Sequence, residues 1–145
     1  GRAADGRFVV IWESTSDGDL TGIAGRRFDA SGNPVGAEFV VNTFTTGHQT
    51  YGALAVHADG SFVAAWQDVN NRDGSGSAVF GQRFDAEGNP LGSDFRVNTY
   101  TTGFQRFPSV SVSPAGGFVV AMMISVPGGH HQVIDVEHSI DRFGQ

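Results

Sequence analysis

Residues 25–49 read GRRFDASGNPVGAEFVVNTFTTGHQ, and residues 81–105 read GQRFDAEGNPLGSDFRVNTYTTGFQ. Aligned without a gap, 17 of the 25 positions are identical, at an offset of 81 − 25 = 56 residues. A period of this size is the mark of a repeat architecture. Matching flanks surround the core: ADGRFVVIW at 4–12, ADGSFVAAW at 58–66 and a worn copy, PAGGFVVAM, at 114–122.

Outward from that core, the patterning has period two. Residues 7–13 place Phe8, Val10 and Trp12 on one face and Val9 and Ile11 on the other, so this strand needs cover on both sides. A polar turn (14–21) leads to a strand at 22–29, whose glycines allow close backbone approach. Turn chemistry fills 29–36, DASGNPVG, and a third strand is expected at 37–43. Val40 becomes Arg96 in the copy, so that strand faces solvent on one side and lies outermost. After a connector at 44–50, the strand at 51–57 carries Leu54 and Val56 on one face and Ala53 and Ala55 on the other. The copy keeps the contrast with Val110 and Val112 against Ser109 and Ser111, as a crowded inner strand requires. Asp59-Gly60 is a tight turn into the next strand. No window carries a 3.6-residue apolar stripe. The chain is expected to be all-β.

Four short antiparallel strands per unit, inner A to outer D, is the pattern of a β-propeller blade. The strand order B-C-D, A-B-C-D, A-B-C gives a single repeat domain of about two and a half blades. It divides into a partial repeat at 1–50, a full repeat at 51–107 and a divergent partial repeat at 108–145. Trp12, Trp66, Phe28 and Phe84 are the expected packing residues between blades. Closed propellers use about 4–8 blades, so self-assembly, or further repeats of a longer chain, is the expected partner.

The segments FVVxW, GQRFDAxGNPxGxxFxVNTxTTGxQ and PSVxVxxxGGFVVxx resemble tandem propeller-like β repeats of long secreted or surface-attached bacterial proteins. The resemblance runs almost to Met122. It implies a propeller-like fold, an extracellular or cell-surface setting and the company of calcium-binding or adhesive modules, with no catalytic activity attached. The third copy departs from it, with Met122 for Trp and GGHHQVIDVEHSIDRFG at 128–144.

Composition narrows the function classes. A chain of 145 residues buries one core, and no apolar run reaches membrane-span length. With no Cys there are no disulfides or thiolate metal sites. Net charge is −6 with no basic stripe, which argues against nucleic-acid binding. All nine basic residues are Arg. The opening, GRAADGRF, reads as the middle of a repeat rather than a leader.

Chemistry-bearing residues are few. Asp17, Asp19 and Asp73 lie in Gly-rich loops where oxygens could hold Ca²⁺, the alternative being solvated turn aspartates. His130, His131, Asp135, Glu137 and His138 could hold zinc. On a strand, however, His130 and His138 are roughly 26 Å apart, and exposed polar residues on an edge strand are the alternative. Asp29 and Asp85 open the DAxGNP turns and are expected to accept backbone amides. Glu13 is the acid beside a strand-B aromatic, its counterparts being Gln67 and Met123. A glycosidase needs two carboxylates about the scissile bond, and no nucleophile, metalloprotease or phosphate motif is present. No catalytic residue and no enzyme is therefore expected.

The B–C loops vary in length, with marker separations of 27 − 12 = 15, 83 − 66 = 17 and 142 − 122 = 20. Variable loops on a constant scaffold are where binding resides. Asp17, Asp19, Asn70, Asn71, Asp73, His48 and Phe104 are the candidate ligand residues at that end. The function expected is a non-enzymatic extracellular structural or adhesive module that assembles through blade-to-blade contacts. The alternative is a lectin-like propeller that binds carbohydrate or another ligand.

Overall fold

The computed structural model of the chain describes residues 1–125, 128–129 and 131–138. Ten strands follow in order: Phe8–Ser14 (β1), Gly22–Phe28 (β2), Pro34–Val40 (β3), Gln49–Val56 (β4) and Phe62–Asp68 (β5). Then come Ala78–Phe84 (β6), Phe95–Arg96 (β7), Phe104–Val112 (β8), Phe118–Ser125 (β9) and His131–His138 (β10). Among the described residues there is no helix.

The strands form three antiparallel meanders, β1-β2-β3, β4-β5-β6-β7 and β8-β9-β10, called sheets 1, 2 and 3. Sheet 2 lies between the others and buries both faces. One core joins sheets 1 and 2 through Val9, Ile23, Val41, Phe62, Ala64, Trp66 and Phe84. A second joins sheets 2 and 3 through Val63, Ala65, Val79, Val97, Phe118, Val120 and Met122. Alternation along β5 divides it between the two: Phe62, Ala64 and Trp66 to one side, Val63 and Ala65 to the other. Every residue of β5 is buried, and burying each large apolar side chain supplies about 1.5–3 kcal/mol. β1 shares one face in this way, through Val9 and Ile11, and leaves Val10 42% exposed on the other.

The first strands of sheets 2 and 3 are the inner ones, and β4 packs on both β1 and β8. Its Leu54 and Val56 cover the first core, as Val110 and Val112 cover the second. Strand C can pass close to the outer strand D because of a glycine. A Cβ on Gly81 would lie 2.7 Å from Phe95 Cζ, and one on Gly25 would lie 2.9 Å from Phe39 Cζ.

Several boundaries differ from the sequence reading: β1 is Phe8–Ser14 rather than 7–13, and β4 opens at Gln49 rather than 51. β3 opens at Pro34, three residues ahead of the expected start. The Asp29 side chain closes the turn by Asn33, and proline is tolerated as the first residue of a strand. Val40 and Arg96 are both exposed on the outer strands, as the Val-to-Arg exchange implied.

Candidate functional site

The sheets have two different ends. At one lie the A–B and C–D turns, and their aspartates serve the turns. Asp29 Oδ1 accepts the amides of Ser31 and Asn33 at 2.9 and 2.8 Å, while Asp29 Oδ2 accepts Asn33 Nδ2 at 3.0 Å. Asp85 accepts Asn89 N and Nδ2, both at 2.8 Å. The Asn33 and Asn89 side-chain amides, helped by backbone amides, hold both carboxyls below their ordinary value of 3.8. A concavity of about 530 Å³ also lies at this end, lined by His57, Asp59, Ser61, Arg83, Leu91 and Phe118 among others. Its carboxylate is already used: Asp59 Oδ1 accepts Ser61 N and Oγ at 2.9 and 2.6 Å. The chemistry lies at the other end.

There the VNTxTTGxQ motif forms a buried clamp, built twice. Asn42 Oδ1 accepts Ile23 N at 2.6 Å, and its Nδ2 donates to Asp17 Oδ2, Phe44 O and Gln49 Oε1 at 3.0, 3.0 and 3.2 Å. Asn98 repeats each contact, accepting Val79 N at 2.9 Å and donating to Asp73 Oδ2, Tyr100 O and Gln105 Oε1 at 3.0, 3.0 and 3.3 Å. Gln49 and Gln105 donate in turn to Thr46 O and Thr102 O. Gly47 and Gly103, both at positive φ, turn their amides onto Asp19 Oδ2 and Ser75 Oγ. The clamp ties each D–A connection to the preceding B–C loop.

This accounts for most of the residues singled out from sequence. Asp17, Asp19 and Asp73, the proposed Ca²⁺ ligands, are acceptors within the clamp. Among the described residues no group of three His, Cys, Asp or Glu is placed to hold a metal ion. Asn70 accepts His48 N at 3.2 Å, and its Nδ2 donates to His48 O and Asp68 Oδ1. His48 Nδ1 lies 3.2 Å from Thr21 Oγ1. Asn71 holds a left-handed turn at φ 58°. Phe104 is exposed, with the Arg106 guanidinium 4.3 Å from its ring. Of the packing residues, Trp66 and Phe84 are buried, and Trp12 and Phe28 are half-buried. His130 lies outside the described residues, and His131–His138 is the backbone of β10.

The structure also assembles a group that sequence reasoning left apart. Where β4 and β8 begin, each strand bulges at the same place, between Thr50 and Ala53 and between Arg106 and Ser109. The bulge holds Tyr51 and Phe107 at φ 53°, a conformation that costs a bulky L-residue about 1–3 kcal/mol. Their rings meet edge to face with centroids 4.7 Å apart, yet stay 52% and 45% exposed. Glu13 Oε1 accepts the Tyr51 amide at 2.8 Å, which fixes a carboxylate beside the aromatic pair. Bulges next to active sites re-aim side chains in this way. The signal was available: residues 51 and 107 are both aromatic and stand 56 apart.

Behind the rim, Arg72 pins sheet 1 to sheet 2. Its guanidinium lies 4.4 Å from the Phe44 ring centroid and 3.9 Å from that of Phe80. Nη1 donates to Asp94 Oδ2 at 3.0 Å and to Asp68 Oδ2 at 3.4 Å.

Neither a protein-family profile nor a curated protein matches the sequence. Two solved structures share the fold. One is an endo-arabinase from Bacteroides thetaiotaomicron VPI-5482, 12% identical over 94% of this chain and 52% of its own, with a TM-score of 0.52. The other is a thermostable family-43 glycoside hydrolase, 14% identical over 95% of this chain and 52% of its own, also with a TM-score of 0.52. At these identities the likeness is one of fold, and the chain spans about half the length of each. It corrects two expectations. A non-enzymatic structural or adhesive module, and the absence of an enzyme, were inferred because no catalytic motif is spelled in the sequence. The structures that share this fold are glycoside hydrolases, whose carboxylates need no contiguous motif.

Proposed function

We propose that the chain forms part of a carbohydrate-active propeller, and that the Glu13–Tyr51–Phe107 rim receives a saccharide chain. The observation that carries this reading is the repeated bulge: strained, half-exposed aromatic residues persist where function repays their cost. Aromatic faces take the C–H faces of sugar rings. Glu13 Oε1 is anchored by Tyr51 N, leaving Oε2 to accept a sugar hydroxyl. Arg106, next to Phe107 in sequence, holds its guanidinium 4.3 Å from the Phe104 ring. Glycosidic hydrolysis takes a second carboxylate on the other side of the bond, and in this reading it comes from sheets beyond these three. An extracellular setting belongs to the same reading, since polymeric saccharides are met outside cells.

The test is calorimetric titration of the 145-residue chain with arabino-oligosaccharides, followed by other neutral and acidic oligosaccharides. The expected result is binding at about millimolar or tighter, weakened in Glu13→Gln. Absence of heat with the whole panel at about ten times that concentration overturns the reading.

A further inference from the structure

The open face of sheet 1 duplicates an interface that the chain already makes internally. Phe8 and Phe28 stack with centroids 5.0 Å apart and planes 8° apart. Their repeat counterparts, Phe62 and Phe84, stack at 4.7 Å and 10°. That second pair is 1% and 2% exposed, because Phe39 of sheet 1 packs against both rings at 6.1 and 5.8 Å. Val10 and Trp12 likewise stand where Ala64 and Trp66 stand, and those two are fully buried. Sheet 1 therefore presents the face that sheet 2 uses to bind sheet 1.

The complementary face on sheet 1 is built on Val9 and Ile11 of β1, Ile23 of β2, and Phe39 and Val41 at the outer edge. Among the described residues, β9 offers the central-strand part of a second such face. On β9, Phe118, Val120, Met122 and Ile124 enter the core with sheet 2, so Val119, Ala121 and Met123 alternate to the far side. These are the repeat counterparts of Val9, Ile11 and Glu13, and each is half-buried.

We propose that two copies of this chain associate head to tail. The Phe8–Val10–Trp12 face of one copy seats on the Val119–Ala121–Met123 face of the other, and both junctions form at once. Three sheets per copy give a ring of six, inside the range of about 4–8 that closed propellers use. The contact is heterologous, so its two faces differ and can be broken separately.

Sedimentation velocity on the 145-residue chain is the test. A species of about 31 kDa, twice the 15.3 kDa of one chain, is expected. A monomer throughout the micromolar range, or an open series of larger species, overturns the proposal. Val10→Glu and Val119→Arg, the latter at the counterpart of buried Val9, should each raise the dissociation constant on the order of tenfold or more by placing a charge in an apolar seam. Circular dichroism should stay unchanged, and Val10→Ser serves if the charged variant fails to fold. Mixing the two single variants should restore dimer, because the head of one and the tail of the other are intact. If Val10→Glu dissociates the particle while Val119→Arg does not, and mixing gives no rescue, the heads pair with each other and the head-to-tail arrangement is wrong.

Discussion

Asn98 Nδ2 donates to Asp73 Oδ2 at 3.0 Å across 25 residues of chain, and Asn42 reaches Asp17 across the same separation at the same distance. Each contact joins a D–A connection to a B–C loop, so the clamp holds the sheet's variable end closed. Asn98 is 2% exposed and is the acceptor for Val79 N. Asn98→Ala should cost about 2–3 kcal/mol, because it leaves a buried amide unpaired as well as deleting its own bonds. The midpoint of urea unfolding measures this, and a change below about 0.5 kcal/mol would show the clamp to be dispensable.

Trp66→Ala should be the costliest single core truncation, at about 3–5 kcal/mol. Trp66 is fully buried in the core between sheets 1 and 2. Trp12 has the same place in its own sheet but is half-buried, so Trp12→Ala should cost clearly less in the monomer. Equal losses in urea unfolding at concentrations where the chain is monomeric would contradict the asymmetry between sheets.

Arg72 is held by two carboxylates and two rings at once, and Asp68 beneath it is fully buried. Arg72→Ala leaves the Asp68 charge with Asn70 alone and should cost about 3 kcal/mol. Lysine has no planar fork to lie between Phe44 and Phe80 while reaching both acids, so Arg72→Lys should recover less than half of that loss. Full recovery, read from thermal unfolding, would reduce Arg72 to a simple charge.

Acid should loosen the turn end. The folded-state pKa of Asp29 and of Asp85 is depressed below 3.8, first by the side-chain amides of Asn33 and Asn89 and then by backbone amides. A depressed acid contributes stability above its unfolded value and loses it as pH falls through the folded value. Unfolding midpoints should therefore hold steady down to about pH 5 and decline below about pH 4, with a shallower decline in Asp85→Asn. Asp5 and Asp59 are depressed in the same direction and add to the slope. An unchanged slope in the variant would remove Asp85 from the account.

Period-two patterning and the 56-residue offset were enough to read the strands, because strand faces are local. The clamp was less legible, since Asn42 and Asp17 lie 25 residues apart and read separately as connector and loop. It was nonetheless spelled twice, because Asp17, Asn42 and Gln49 recur as Asp73, Asn98 and Gln105. Tyr51 and Phe107 escaped notice for a narrower reason. The repeat core was cut at Gln49 and Gln105, and the bulge that exposes both rings depends on backbone geometry, which residue identity does not announce. Glu13 was visible as an acid, but nothing in the sequence places its carboxylate on the Tyr51 amide.

The rim reading predicts an opposition between stability and binding. Tyr51 and Phe107 sit at φ 53°, where glycine is at ease and an aromatic residue is strained. Replacing either with Gly relieves about 1 kcal/mol of strain, gives up about 0.5–1.5 kcal/mol of ring contact and loosens the unfolded chain. These contributions nearly cancel, so Tyr51→Gly and Phe107→Gly should stay within about 1 kcal/mol of the parent chain. Saccharide affinity should meanwhile fall on the order of tenfold for each, since each removes one wall of the platform. An aromatic pair kept only for packing would behave the other way, costing about 3 kcal/mol or more on truncation and leaving titrations unchanged. Paired measurements of the urea midpoint and titration heat on the same two variants decide between them.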